Sequence, residues 1–255
     1  MVAHKYVIPQ FGFVTDRDKP KEPKARPGKV FSTRPYFGRS LATEPGLIPM
    51  PAKSPLATVI KASPGLMIVL CEGRRGDGFY LCGCCGAGFR KRQNNHKTPQ
   101  GQDCHGMLEN VSLGQEFVTD VLQLQFDRAP QVGTDFVSFA FSLAYAVVEG
   151  AAEVLEVPPV DLNATVTHSD QHPVPPIVRY DNVPGGAGLV ARLEKEEVLK
   201  ECLYAALKRV DGGCGCAPNA SCYGCLRSYR NQFAHHILQR GPVKQYLESI
   251  LSAWV

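Results

Sequence analysis

Eight of the ten cysteines in this 255-residue chain fall into two tight groups, and no other feature constrains the fold as strongly. Cys82, Cys84, Cys85 and Cys104 form the first group; Cys214, Cys216, Cys222 and Cys225 form the second; Cys71 and Cys202 lie apart. The start, MVAHKYVIPQ, lacks the basic-then-apolar pattern and small-residue cleavage site of a signal peptide, so a cytoplasmic location is expected. Thiols that persist in a reducing compartment serve mainly as metal ligands, nucleophiles or buried apolar residues. Close clustering is the pattern of chelation. Hydrophobic residues make up 44% and charged residues 20%, a globular balance that excludes collagen, a long coiled coil and wholesale disorder. The most apolar stretch, Phe136 to Val148, is interrupted by Ser138 and Ser142, so no membrane span is expected.

The second group reads Cys214-Gly-Cys216-Ala-Pro-Asn-Ala-Ser-Cys222-Tyr-Gly-Cys225. Four thiolates within twelve residues, set among Gly, Pro and Asn that permit tight turns, suit the four-ligand tetrahedron of structural zinc. An iron–sulfur cluster would also use four thiolates and stays open. A redox CxxC would lie at a helix start after a strand, without two more cysteines upstream.

In the first group Cys82 and Cys85 form a CxxC knuckle, with Cys104 about twenty residues on and FRKRQNNHK between them. Cys82, Cys85, Cys104 and His96 make a suitable Zn2+ set. His96 is preferred over His105, which directly follows a ligand; Cys84 or Cys71 could substitute, and buried or free thiols are the bland alternative. Neither group resembles a catalytic metal site: there is no HExxH, and no HxE joined to PCxxC. Four thiolates leave no open position for water.

Pattern reading gives an α/β fold, a mixed sheet with packed helices and one or two zinc-knuckle insertions. Residues 1–63 form an N-terminal strand pair (YVIPQFGFVTD) and a basic, Pro-rich connection, irregular from Ser40 to Ser63; residues 64–255 form the main domain. GLMIVLC (65–71) and GFYLC (78–82) read as a hairpin turning at GRRGDG, and EFVTDVLQLQF (116–126) as one strand. Thr134-Asp135 caps a buried helix over about 136–156, and DLNATVT and PIVRYDNV are strands. Pro184-Gly-Gly-Ala-Gly188 opens a helix running to about Val210, and further helices cover about 226–239 and 243–253.

Three features bear on nucleic acid. The first 40 residues hold nine basic against three acidic residues, and KPKEPKARPGK reads either as a solvated loop or as an arm that follows phosphates. The Pro184–Gly188 turn, with Gly185 and Gly186, serves either close packing of helix on strand or backbone capture of a phosphate. Arg227 and Arg230, three apart on the expected helix, share a face that suits phosphate or base contact, or an ordinary polar surface. Asp181, His168 and His172 raise a nuclease reading, with nothing to place them together.

The motifs FGFVTD (11–16), the Cys/His group (82–104), LGQEFVTDVLQLQF (113–126), RYDNVPGGAG (179–188) and CGC…SCYGCLRSYRNQ (214–232) stand together in an order that resembles the MrfA-like zinc-binding domain family. This domain is the C-terminal module of certain DNA helicases, and the likeness is greatest to the C-terminal part of DrmB proteins of the DISARM anti-phage defence system. The resemblance implies zinc on Cys214, Cys216, Cys222 and Cys225, and service beside a superfamily 2 helicase subunit acting on DNA, in defence or repair. The chain has no GxxxxGK[ST] and no acidic Walker B box, so no ATPase activity of its own is expected, and it is shorter than a DrmB-like protein, as a split subunit or a fragment would be. The leading expectation is therefore a zinc-organised accessory module that docks a helicase and helps hold DNA. A purely structural interaction module and a nuclease are the alternatives.

Overall fold

The structure, a computed structural model, describes residues 5–8, 33–73, 76–130, 135–167 and 174–254. The basic KPKEPKARPGK segment, FGFVTD, Arg74, Arg75, Thr134, His168 and His172 lie outside the described residues. The fold is mixed α/β, as the element pattern predicted, with largely antiparallel sheets and packed helices. It divides into two compact units that interleave along the chain: residues 1–34 with 68–116, and residues 35–67 with 117–255.

The larger unit is built on five antiparallel strands in the spatial order Leu162–Val166, Ile177–Asp181, Val121–Phe126, Ala57–Lys61 and Gly46–Met50. Strand alternation sorts their side chains by face. Leu122, Leu124, Phe126, Ile177, Leu162, Ala164, Ala57 and Val59 enter the main core, where α1 (Phe136–Leu155), α2 (Glu196–Val210) and α3 (Arg240–Ser252) pack. Val121, Val178, Tyr180, Ala62 and Met67 form a smaller cluster on the other face, with Phe37 and Phe117 against it. Helix α1 starts where expected, because the Asp135 carboxylate accepts from Ser138 N at 2.9 Å and satisfies a first-turn amide. Gly150 lets α1 approach α2: a Cβ there would meet Cys202 O at 2.3 Å. By length and composition α1 is apolar enough to cross a bilayer, contrary to the sequence expectation, and most of its circumference is buried within this unit.

In the smaller unit Leu108–Thr119 pairs antiparallel with Phe79–Cys82, which pairs with Gly88–Phe89, and Tyr6–Val7 runs parallel to Ser112–Leu113. Gly65–Cys71 and Phe79–Cys82 form as strands but not as a hairpin, because Leu108–Thr119 lies between them. The segment 116–126 is two strands, broken at Asp120, whose carbonyl accepts from Asp181 N. The expected irregular connection from Ser40 to Ser63 contains Gly46–Met50 and Ala57–Lys61; Pro49 is tolerated because its strand is the sheet edge.

Two expected helices change. The chain after Gly188 first makes a 3-10 segment, Val190–Glu194, and α2 begins only at Glu196. The helix expected over 226–239 is a short 3-10 turn, Tyr229–Ala234, interrupted by non-helical backbone at Asn231. The Asn231 side chain explains the break: its amide donates to Leu226 O while its oxygen accepts from Ser228 N, and both bonds hold the backbone in a loop.

Candidate metal centres and nucleic-acid residues

In the larger unit Cys214, Cys216, Cys222 and Cys225 converge, their four sulfurs all within 4.8 Å of one another. Neighbouring Sγ atoms lie 3.4 Å (Cys214–Cys216), 3.7 Å (Cys216–Cys225) and 3.8 Å (Cys222–Cys225) apart. A tetrahedral metal with sulfurs at about 2.3 Å separates them by about 3.8 Å, so the group is of chelating size. A disulfide would need about 2.05 Å, and all four thiols are free. Gly215, at φ +77°, makes the turn between Cys214 and Cys216 that a side chain would strain. Amide donation from Cys216 draws the Cys214 thiol down to about 7, while burial pushes the Cys225 thiol up to about 12.

Arg240 fastens this knuckle to the helices. Its Nε and Nη2 both donate to Cys216 O, at 2.9 and 2.7 Å, and Nη1 reaches Val210 O at the end of α2. The first residues of α3 carry the other contacts: Arg240 N donates to Ala220 O and Gly241 N to Pro218 O. No side chain fits at Gly241, where a Cβ would stand 2.7 Å from Pro218 Cβ. Arg209 Nε donates to Cys225 O and its guanidinium pairs with Glu149 of α1. The sequence reading missed Arg240 and Arg209, because neither stands in a motif and both work through distant carbonyls.

In the smaller unit Cys82, Cys85, His96 and Cys104 converge in the same way, again within 4.8 Å. Cys82 Sγ and Cys104 Sγ are 3.8 Å apart, and Cys85 Sγ lies 3.4 Å from His96 Nε2. The sulfurs sit in amide knuckles: Cys84 N and Cys85 N point at Cys82 Sγ, and Gly106 N at Cys104 Sγ. Amide donation from Cys85 draws the Cys82 thiol down to about 6. His96 is buried opposite Cys104 in a two-stranded ladder, its ring edge-on to Phe89 at 5.3 Å. Of the alternative fourth ligands, Cys84 and His105 are exposed and Cys71 stands outside the group.

The nucleic-acid candidates fare differently. Gly185 N donates to Val118 O and Gly186 N to Val183 O, while Gly188 N donates to the Asp120 carboxylate. Asp181, fully buried, accepts from the amides of Ala187, Leu189 and Val190 at 2.8–2.9 Å. The Gly185 and Gly186 amides are thus taken by backbone carbonyls and those of residues 187–190 by Asp181 and Asp120, which is the close-packing reading of the turn and leaves no free amide cradle at Gly185 and Gly186. Asp181 is correspondingly a fold residue with no open face for the nuclease reading. Arg227 and Arg230 do not share a helix face, since the backbone there is a loop and a 3-10 turn. Arg227 is half-buried and turned inward, donating to Ser221 Oγ at 3.0 Å and to His235 O at 3.4 Å. Arg230 is exposed, and so are its sequence neighbour Tyr229 and, within the knuckle, Tyr223.

Comparison with known proteins places these geometries in a family context. No curated protein matches the chain. Two crystal structures of the DUF1998 helicase MrfA are similar to it. The one bound to DNA has 12% identity and a TM-score of 0.47 over 86% of this chain and 25% of that one. The one bound to DNA and AMPPNP has 14% identity and a TM-score of 0.34 over 84% and 22%. The chain thus spans about a quarter of the length of those helicase chains. The family model of the MrfA Zn-binding domain matches residues 143–226, a stretch that holds α1 from Leu143 onward, all of α2 and all four cysteines of the second group. The match to the MrfA Zn-binding domain is confined to these residues, 84 of the 255 in the chain.

Proposed function

We propose that the chain is a zinc-organised accessory module that associates with a superfamily 2 DNA helicase and helps hold DNA. The observation that carries this reading is the convergence of Cys214, Cys216, Cys222 and Cys225 to chelating distance inside the matched segment. Zinc held by these four thiolates would have no open coordination position, so it would fasten the fold rather than activate water. Its binding energy would hold residues 214–225 against the end of α2 and the start of α3, through Arg209 and Arg240. Cys82, Cys85, His96 and Cys104 would hold a second zinc ion in the smaller unit. Exposed Arg230, following the second knuckle, is the DNA contact this reading retains. The resemblance to the family supports a place in anti-phage defence or in DNA repair.

A purely structural interaction module is the second reading, favoured by the inward commitment of Arg227 to Ser221 and His235. One experiment separates them. The metal-loaded chain is titrated with labelled DNA, alone and with its helicase, from about 50 to 200 mM salt. Affinity that falls with salt and is lost in R230E supports DNA holding. No affinity in either state, with helicase association intact, leaves the interaction module.

A further inference from the structure

We infer that the loop between two ligands of the smaller unit's Cys/His group is itself a nucleic-acid contact, a metal-shaped basic tip that takes the phosphate backbone. Cys85 and His96 belong to one chelating group, so residues 86–95 form a closed loop whose two ends would meet at a single ion. The loop reads Gly-Ala-Gly-Phe-Arg90-Lys91-Arg92-Gln93-Asn94-Asn95, and residues 90–95 are all exposed. Lys97 continues the run on the far side of His96 and is exposed as well. No acidic residue occurs between Gly83 and Gln102. Asp103, paired with Lys97 across the ladder, is the first acidic residue after the loop. Three thiolates and a neutral imidazole around a divalent ion would leave one negative charge, short of cancelling Lys91, Arg92 and Lys97.

The composition selects the partner. Beyond Phe89, whose ring is engaged with His96, and the buried Ala87, the loop holds no apolar side chain to enter a bilayer. Three consecutive cations, Arg90, Lys91 and Arg92, are followed instead by three amides, Gln93, Asn94 and Asn95, able to bond phosphate, sugar or base. Immobilising such cations on a metal knuckle lowers the ordering cost of each phosphate contact. This contact stands on residues of its own and goes beyond the proposed function, whose DNA contact lies at Arg230 in the other unit.

The test uses the full zinc-loaded chain, a labelled DNA duplex and a labelled single strand, read by anisotropy across the same salt series. Exposed Lys91 and Arg92 are replaced together by glutamine, with zinc content measured to show that the knuckle is intact. The expected result is affinity lower by about tenfold near physiological salt. The log–log salt slope should flatten by about 2, one counterion per lost phosphate contact. K91Q/R92Q binding with wild-type affinity and slope overturns the inference, as does a wild-type chain that binds neither probe. Vesicles containing anionic lipid are the control: loss of vesicle binding in K91Q/R92Q, with DNA binding unchanged, also overturns it. Parallel titration of R230E separates the two contacts, because either variant can lose affinity while the other keeps it.

Discussion

At the scale of single residues, Asp181 and Arg179 sit two apart on one strand and face the same core, yet their circumstances are opposite. Asp181 accepts three backbone amides and is fully satisfied. Arg179 is fully buried, and none of its guanidinium nitrogens has a hydrogen-bond acceptor among the described residues. Burial draws its pKa down to about 10, opposed by the nearby Cys202 and Asp181. The folded state binds the proton more weakly than the unfolded chain, so the cost of the buried charge is constant below pH 10 and relieved only above it. Near neutral pH no titration reports it; a substitution does. Arg179→Met keeps most of the volume and removes the charge, and should stabilise the protein by about 1–4 kcal/mol, measured by urea unfolding. Destabilisation of similar size would mean that the guanidinium has an acceptor in solution. Neither role was legible in RYDN, because register, not composition, decides which face a strand residue takes.

Elements were legible where local chemistry and burial agree. Helix α1 shows in the sequence as a long apolar segment behind a capping aspartate, and it forms at the expected residues. The loop after Cys225 does not show, since RSYRNQFAHH has ordinary helical composition, and only the bonds made by Asn231 break it. The Asp135 cap gives a pH-dependent handle on α1. Hydrogen bonding to Ser138 holds the Asp135 carboxyl below its ordinary value. That stabilisation is therefore present above the ordinary aspartate range near 3.9 and is lost as pH falls through the lower, folded value. Asp135→Ala should cost about 1 kcal/mol at pH 7. Under acid conditions, below both values, the difference between variant and wild type should close, which paired unfolding curves at the two pH values would measure.

Across the whole molecule, both cysteine groups stand out in the sequence by their spacing, because chelation leaves a local signature, whereas spacing alone left the fourth member of the first group open between His96, His105, Cys84 and Cys71. The two-unit organisation could not, since each unit is assembled from two separated pieces of chain and the cut points fall inside strands. This separation makes the two centres distinguishable by experiment. Cys225 lies in the main core, with Cys214, Cys216 and Cys222 packed against it, and Arg240 and Arg209 tie the same knuckle to all three helices. Cys82, Cys85, His96 and Cys104 instead organise short strands with little apolar burial, so a metal there would have only local structure to hold. Elemental analysis should find two zinc ions per chain, one for each group, and one in either Cys222→Ser or Cys85→Ser. Hydrogen exchange should then divide the variants. Cys222→Ser should speed exchange through α2 and α3 and lower the global melting temperature, because metal binding there is coupled to core packing. Cys85→Ser should speed exchange across residues 79–106 and leave the helices at their wild-type rates. A Cys222→Ser chain with wild-type exchange and melting would mean that these four sulfurs contribute nothing to the fold, and the zinc-organised reading would fall with it.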